Sequence, residues 1–374
     1  MGPDAFRLAL KPNFRESCGR ETLEQGASMK AAIFHEYGPP DVLKYEDVPT
    51  PEPREGEIRI KVRGATVNRV LDVALRRGAQ MQRKAMLPCI PGVDCAGTVD
   101  AIGPGVKRWK VGDRVVAAGG MPLDVVREDE TDYKGPQGMM GIRRPGGFAE
   151  YVCVPSIVAA PLPEGLSFHE AAVVMRHCPT AWNLLFNVAD LKAGEWVLIM
   201  GASGNLGQVG IQIAKNVIGA KVICTAGSRA RADKGLELGA DYAIDYSTQD
   251  IYEEMMKITN GKGVNVIYDN IANPDVLPKA FHALGEKGRL VTAGAHGGPN
   301  VTIDFFHLYD RKITIKGQPG SKKEDLPKCF AAAAEGKIKA PVAHVLPLSQ
   351  ARKAHEMMES DPGMGKIVLD PTMG

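Results

Sequence analysis

The sequence predicts an α/β chain with two packed domains, a β-rich, partly open barrel followed by a doubly wound parallel sheet. Three observations carry this expectation. Residues 57–62 read EIRIKV, an alternation of period two. Six short apolar runs between residues 196 and 315 are separated by helical segments. A buried-type strand, a glycine turn and a helix follow one another without a gap over residues 195–218. At 374 residues the chain is long enough for two cores.

Composition narrows the function classes. Lys+Arg 46 against Asp+Glu 44 leaves a net charge of +2, no global field for nucleic acid or a membrane surface, so any anion site is local. Hydrophobic residues at 44% and charged residues at 24% are ordinary globular usage and argue against a disordered or fibrous chain. The seven cysteines (Cys18, Cys89, Cys95, Cys153, Cys178, Cys224, Cys329) are scattered, odd in number and without a CxxC pair. They read as reduced thiols of a cytoplasmic protein. No apolar run approaches the roughly 18 residues of a membrane span.

In chain order, residues 1–28 mix acids and bases without apolar periodicity and read as a flexible N-terminal extension. A transit peptide would be poor in acids, and Asp4, Glu16, Glu21 and Glu24 count against one. A first domain then occupies 29–166, with strands at 29–34, 57–62, 97–102 and 114–117, the last after the turn Val111-Gly112-Asp113. The second domain, 167–316, carries apolar strands at 196–200, 221–225, 242–245, 264–268, 289–292 and 313–315. The remainder, 317–374, holds two amphipathic helices and a strand at 366–369. That is too little for a core of its own, so it is expected to return and complete the first domain.

The glycine turn is the strongest functional signal. It reads Gly201-Ala202-Ser203-Gly204-Asn205-Leu206-Gly207, between the strand at 196–200 and a helix running to about Ile218. Gly201 allows a tight turn, Gly204 a close approach of backbone to a pyrophosphate, and Gly207 close packing of helix on strand. Free N–H groups at the helix start attract the anion. About twenty residues further, an NAD site places an acid against the ribose 2′-hydroxyl. Here the sequence is Gly227-Ser228-Arg229-Ala230-Arg231. A hydroxyl and two guanidinium groups match a 2′-phosphate instead, which favours NADP(H). The alternative is a solvated helix start with ordinary charges.

Together with the segment from Ile102 through Gly103-Pro104-Gly105, Gly112-Asp113 and Val115, these features resemble the medium-chain dehydrogenase/reductase superfamily. The resemblance is nearest to the zinc-free quinone oxidoreductase and enoyl reductase branch, and it spans 29 to about 370. It includes Pro91-Gly92-Val93-Asp94-Cys95-Ala96-Gly97, Gly146-Gly147-Phe148-Ala149-Glu150-Tyr151, Leu238-Gly239-Ala240-Asp241 and Gly365-Lys366-Ile367-Val368-Leu369. It implies a GroES-like catalytic domain and a Rossmann cofactor domain. It further implies that Thr180 packs near the nicotinamide, Gly294 and Ala295 lie along its ribose, and Lys366 lies near the pyrophosphate. Ser228, Arg231 and Tyr246 fall where NADP-using relatives hold the 2′-phosphate, although Tyr246 also suits an ordinary core position.

Zinc-dependent members carry a Cys, a His and a further Cys or Asp as catalytic ligands. At the matching places this chain has Asn68, Val93 and Arg176, none of which replaces a thiolate or imidazole. The four cysteines of a structural zinc lobe are missing from 119–145. Without metal the expected substrate is a small electrophile, a quinone or an activated C=C bond, whose oxygen gains negative charge and needs a donor. The resemblance makes Asn68 that donor with Asp72 beside it. Asn68 and Asp72 stand one residue further apart than usual, and Ala74 replaces a common aromatic residue. The proton source stays open among Tyr133, His177 and water. Zinc-type alcohol dehydrogenase activity and a non-catalytic NADPH-binding role stay open as alternatives. The segment 311–316 (RKITIK) falls on the edge of the second sheet and is expected to join two chains as a homodimer.

Overall fold

The computed structural model describes residues 27–79, 84–130, 133–360 and 365–374. Residues 1–26, which make up nearly all of the expected extension and include Cys18, lie outside them. The antiparallel pair β1 (Ser28–Phe34) and β2 (Leu43–Pro49) opens the fold. The central strand of the first sheet is β3 (Glu57–Thr66). Its alternation works as expected: Ile58, Ile60 and Val62 are fully buried, whereas Lys61 faces solvent. It pairs antiparallel with β4 (Asp94–Ile102), which pairs with β5 (Arg114–Ala118). A short ribbon follows, β6 (Gly120–Pro122) with β7 (Gln137–Met139). Then β8 (Tyr151–Pro155) adds to β3 and β9 (Ala160–Pro161) to β5. Phe34, Trp109, Met121, Met140 and Phe148 fill the space these strands enclose.

The helix α1 (Phe168–Trp182) starts where its sequence says it should. Ser167 accepts from the Glu170 N–H at 3.2 Å while the Glu170 carboxylate accepts from the Ser167 N–H at 2.9 Å, a reciprocal cap that satisfies two otherwise orphaned donors. This helix packs against β3 and β4 on one side and against the second sheet's helices on the other, so its residues lie between the sheets.

The second sheet is all parallel. Its strands are β10 (Trp196–Met200), β11 (Lys221–Ala226), β12 (Tyr242–Asp245), β13 (Val264–Asp269), β14 (Leu284–Thr292) and β15 (Thr314–Gly317), in the order β12-β11-β10-β13-β14-β15. Helices α2 (Asn205–Gln212), α3 (Arg229–Glu237), α4 (Ile251–Ile258), α5 (Leu277–His282) and α6 (Phe305–Asp310) connect them. Both faces are covered, which is why β10 reads as a continuous apolar run. Val197 and Ile199 pack with α1 and α2, whereas Leu198 and Met200 pack with Ile251, Met255 and Phe281. Six strands were expected and six are present. The last is shifted, because Ile313 is buried before the strand begins and its N–H donates to Leu308 O at 2.9 Å.

The end of the chain carries α7 (Asp325–Ala334), β16 (Val342–Pro347), α8 (Ala351–Glu359) and β17 (Lys366–Asp370). β17 lies between β16 and β3 in the first sheet, parallel to the former and antiparallel to the latter, with Val368 opposite Thr66. The sequence reading omitted β16. Among the described residues no helix is long and apolar enough to cross a membrane, and the six described cysteines are unpaired.

Candidate active site

At the end of β10 the chain turns through Gly201, whose φ of +78° is left-handed and suits glycine. The turn is held by the N–H groups of Gly201 and Ala202, both donating to Thr225 O, at 3.1 and 2.8 Å. At Gly207 a Cβ would stand 2.1 Å from Gly201 O, so only glycine lets α2 sit this close to the strand end. Gly204 is the N-cap of α2, and no side chain caps it. The first N–H groups of that helix therefore stay available to an anion. Ser203, Asn205 and Leu206 frame this opening, and the buried Asn205 Oδ1 has no partner among the described residues. A dinucleotide pyrophosphate fits these residues.

Next to it, at the end of β11, the Tyr246 hydroxyl lies over Gly227, close enough to crowd any side chain there. Ser228 is the N-cap of α3 and its hydroxyl caps nothing. Exposed Arg231 has no partner among the described residues, and its guanidinium is free for a ligand. Arg229 is different: its Nε donates to Asp233 Oδ1 at 2.8 Å and its Nη1 to Ala243 O at 3.3 Å. Three of the four residues expected at a 2′-phosphate thus remain uncommitted, while Arg229 is held within the protein by a pair one helical turn apart. Gly294 and Ala295 follow β14, where Thr292 Oγ1 donates to Gly294 O at 3.1 Å. Gly294 packs against the backbone of Asn270, at the end of β13. Asn270 itself is buried, and the sequence reading passed over it.

The third group of residues gathers where β3 ends and β4 and β17 begin. Asp94 is fully buried. Its Oδ1 accepts from the Thr66 N–H at 2.7 Å, and its Oδ2 accepts from Thr66 Oγ1 at 2.6 Å and Asn68 Nδ2 at 3.3 Å. Asn68 Nδ2 also donates to Thr66 Oγ1 at 3.1 Å. With its amide N–H groups drawn that way, Asn68 Oδ1 faces the Lys366 ammonium at 2.6 Å. Asp72 is fully buried and accepts from the N–H groups of Asn68 and Gly92, at 2.8 and 3.0 Å. Burial, with Asp94 nearby, pushes the Asp72 carboxyl up to about 6. Burial pulls the Lys366 ammonium down to about 8, Arg176 adding to the effect and Asp94 and Asp72 opposing it. From α1, Arg176 and His177 border this group, and Thr180 stands one turn beyond Arg176 on the same helix face.

Four residues singled out from the sequence, Asn68, Lys366, His177 and Tyr133, have the following surroundings. Asn68 points its carbonyl, not its N–H groups, toward Lys366, because Thr66 and Asp94 take the amide hydrogens. Lys366 hydrogen-bonds Asn68 and Val67 rather than the glycine turn. Insertion of β17 beside β3, with the Val67 N–H donating to Ile367 O at 2.9 Å, carries its first residue to the end of β3. His177 is a poor proton donor, since burial and the adjacent cations Lys366 and Arg176 hold its imidazole neutral well below its ordinary range. Tyr133 donates to Asp124 Oδ2 at 2.6 Å. Asp94 and Thr66, the residues that organise the group, were not singled out from the sequence. Among the described residues no group of three His, Cys, Asp or Glu side chains is placed to hold a metal.

Comparison with known proteins returns two family models: an alcohol dehydrogenase GroES-like domain over residues 54–164 and a zinc-binding dehydrogenase domain over residues 206–335. Quinone oxidoreductase 1 of Escherichia coli is 30% identical, over 90% of this chain and 98% of its own length. An NAD-dependent alcohol dehydrogenase of Sulfolobus acidocaldarius is also 30% identical, over 92% of this chain and all of its own. Among solved structures, AibC superposes with a TM-score of 0.84 at 29% identity, covering 94% of this chain and 98% of that one. A 2-haloacrylate reductase gives 0.75 at 28% identity, covering 91% and 99%.

Proposed function

Because this chain belongs to the medium-chain dehydrogenase/reductase superfamily, in its quinone oxidoreductase branch, we propose that it reduces quinones or activated C=C bonds with NADPH and without a metal. The observation that carries this reading is the buried group of Thr66, Asn68, Asp94 and Lys366, in which Asn68 holds one of the three positions where, by the resemblance, metal-dependent relatives keep a ligand. It offers hydrogen-bonding and positive charge to a substrate oxygen, but no thiolate or imidazole set. Bound NADPH would supply a hydride. The chain's own part is to hold the pyrophosphate on the open start of α2, to grip the 2′-phosphate with Ser228, Arg231 and Tyr246, and to meet the substrate oxygen at the end of β3. The similarity to a 2-haloacrylate reductase supports a conjugated acceptor. Steady NADPH consumption with 1,2-naphthoquinone or an enone, undiminished by chelators, tests the reading; activity lost together with one equivalent of zinc would overturn it.

Arg231 makes the cofactor choice testable by itself. Arg231→Ala should weaken NADPH binding about 10- to 100-fold, as loss of one charge-assisted contact does. NADH binding should hardly change. Equal losses for both nucleotides in fluorescence titrations would remove the 2′-phosphate assignment.

The homodimer rests on β15, an edge strand whose four residues are all exposed, and on α6 just before it. There Phe305, Phe306 and Tyr309 are 74%, 65% and 65% exposed. Light scattering should give about twice the chain mass of 40.2 kDa. In Ile315→Glu, like charges meeting across the two-fold should weaken the dimer by about tenfold or more. A wild-type mass near that of one chain rejects the dimer.

A further inference from the structure

We propose that Arg176 determines specificity at this site, and that the acceptor it selects carries a carboxylate beside its activated C=C bond. The inference rests on the reading of the site as a reductase of conjugated acceptors. Three observations lead to it. Over residues 171–185, α1 and the turn that continues it are buried between the two sheets, and only Arg176, His177 and Thr180 are half-buried instead. Those three share one face of the helix, so it opens to solvent along a single strip, and Lys366 faces that strip. Second, the Arg176 guanidinium lacks a counter-charge. Asp94 and Asp72 offset the charge of Lys366, and their oxygens are taken by Thr66, Asn68 and Gly92. Among the described residues Arg176 forms no ion pair, and its buried Nε has no partner. His177 beside it is held neutral and adds no charge. An enclosed cation without a partner is costly, and arginine is seldom kept so unless an anion joins it. Third, Arg176 precedes Thr180, the residue expected at the nicotinamide, by one turn, about 6 Å along the helix axis. The anion it meets therefore lies close to the carbon that receives hydride. A carboxylate on the conjugated system satisfies this, whereas a phosphate at the end of a long tail does not.

The guanidinium fork donates two parallel N–H bonds to a carboxylate, and this geometry together with the charge separates an acid from its neutral ester. It also favours the reaction. Hydride brings negative charge to a molecule that already carries one, and the guanidinium offsets the sum. For an acid of the form R–CO–CH=CH–COO⁻ the step balances. Hydride supplied by bound NADPH forms a C–H bond at the carbon β to the ketone, and the C=C electron pair shifts to leave an enolate oxygen. Water returns a proton to the α-carbon, the ketone re-forms, and the carboxylate is unchanged. The charged and titratable groups that face Arg176 are Lys366 on β17 and His177 on α1, with Asp94 and Asp72 beside Lys366. Lys366 titrates at about 8, whereas a guanidinium stays charged well beyond that value. The preference for an acid should therefore persist as pH is raised through about 8.

The test sets 3-benzoylacrylate, an enone that bears a carboxylate, against its methyl ester. The saturated pair, 3-benzoylpropionate and its methyl ester, reports binding to the NADP-loaded protein without reaction. By calorimetry the wild type should bind the saturated acid about 10- to 100-fold more tightly than the ester, the range of one charge-assisted pair, on both sides of the Lys366 titration. In turnover, the acid-to-ester ratio of kcat/KM is compared between variants, so the ester's greater intrinsic reactivity cancels. That ratio should fall about 10- to 100-fold in R176Q and less in R176K, whose ammonium keeps the charge without the fork. A wild type that binds the ester as tightly as the acid overturns the proposal without any variant. A ratio unchanged in R176Q, both substrates losing in parallel, also overturns it, as does a preference that disappears once Lys366 is deprotonated. A wild type that consumes no NADPH with enones or quinones sinks the reductase reading alone, since the calorimetry still decides what Arg176 selects.

Discussion

Replacing Asp94 with alanine is expected to destabilise the protein by about 3–5 kcal/mol, the cost of removing one member from a buried charged network. The Thr66 N–H and Oγ1 and the Asn68 amide all lose an acceptor in a place water does not reach, and the nearby Lys366 ammonium loses its counter-charge. Asp94→Asn keeps the shape and one acceptor oxygen, so it should cost less, about 1–3 kcal/mol. In both variants Asn68 is free to turn, and turnover should fall further than stability accounts for. Urea unfolding with an unchanged slope gives the stability difference. An alanine variant within about 1 kcal/mol of the wild type would mean that the network contributes little.

Gly207→Ala should abolish dinucleotide binding over the accessible range. The added Cβ would lie 2.1 Å from Gly201 O, a backbone atom that cannot swing aside like a side chain. Either α2 moves away from β10 or the turn opens, and both take the helix's N–H groups off the pyrophosphate. Strain of about 1–3 kcal/mol is typical of such overpacking, and misplacement by about 1 Å costs a further 100-fold where geometry matters. At Gly204 the added Cβ meets only Gly201 O, at 3.4 Å, so Gly204→Ala should fold normally and lose binding only through its approach to the phosphates. NADPH fluorescence titration beside thermal unfolding separates the two cases. A Gly207→Ala protein that binds NADPH within about threefold of wild type would show that the close packing at this turn is dispensable.

The glycine turn was legible in the sequence because its chemistry is local: a strand, three glycines and a helix within a dozen residues have few other uses. The parallel strands were legible for a similar reason, each being an apolar run wide enough to be buried on both faces. β16 escaped notice because Val342, Ala343, Val345 and Leu346 are only half-buried and surround an exposed His344, so no alternation stands out. The candidate site was only half legible. Asn68 and Asp72 lie four residues apart and could be found together. Nothing local links Thr66, Asp94 and Lys366, which meet because β4 and β17 both begin beside the end of β3. Family resemblance placed Lys366 by its neighbours in sequence, whereas the register of β17 on β3 placed its ammonium.

The position of β17 also bears on how the molecule is made. Ala65 and Thr66, at the end of β3, are synthesised some 300 residues before Leu369 and Val368, which pair with them, and at roughly 5–20 residues per second that interval is about 15–60 s. Throughout it, β8 already covers residues 57–61, but the last residues of β3 keep an open hydrogen-bonding edge and the group around Asn68 is unfinished. The second sheet, with all six of its strands between residues 196 and 317, has no such debt to the chain's end and is able to close while the ribosome is still at work. A nascent chain stalled a few residues short of Lys366 would therefore hold nucleotide but carry out no reduction, and its barrel would be the part that chaperones protect.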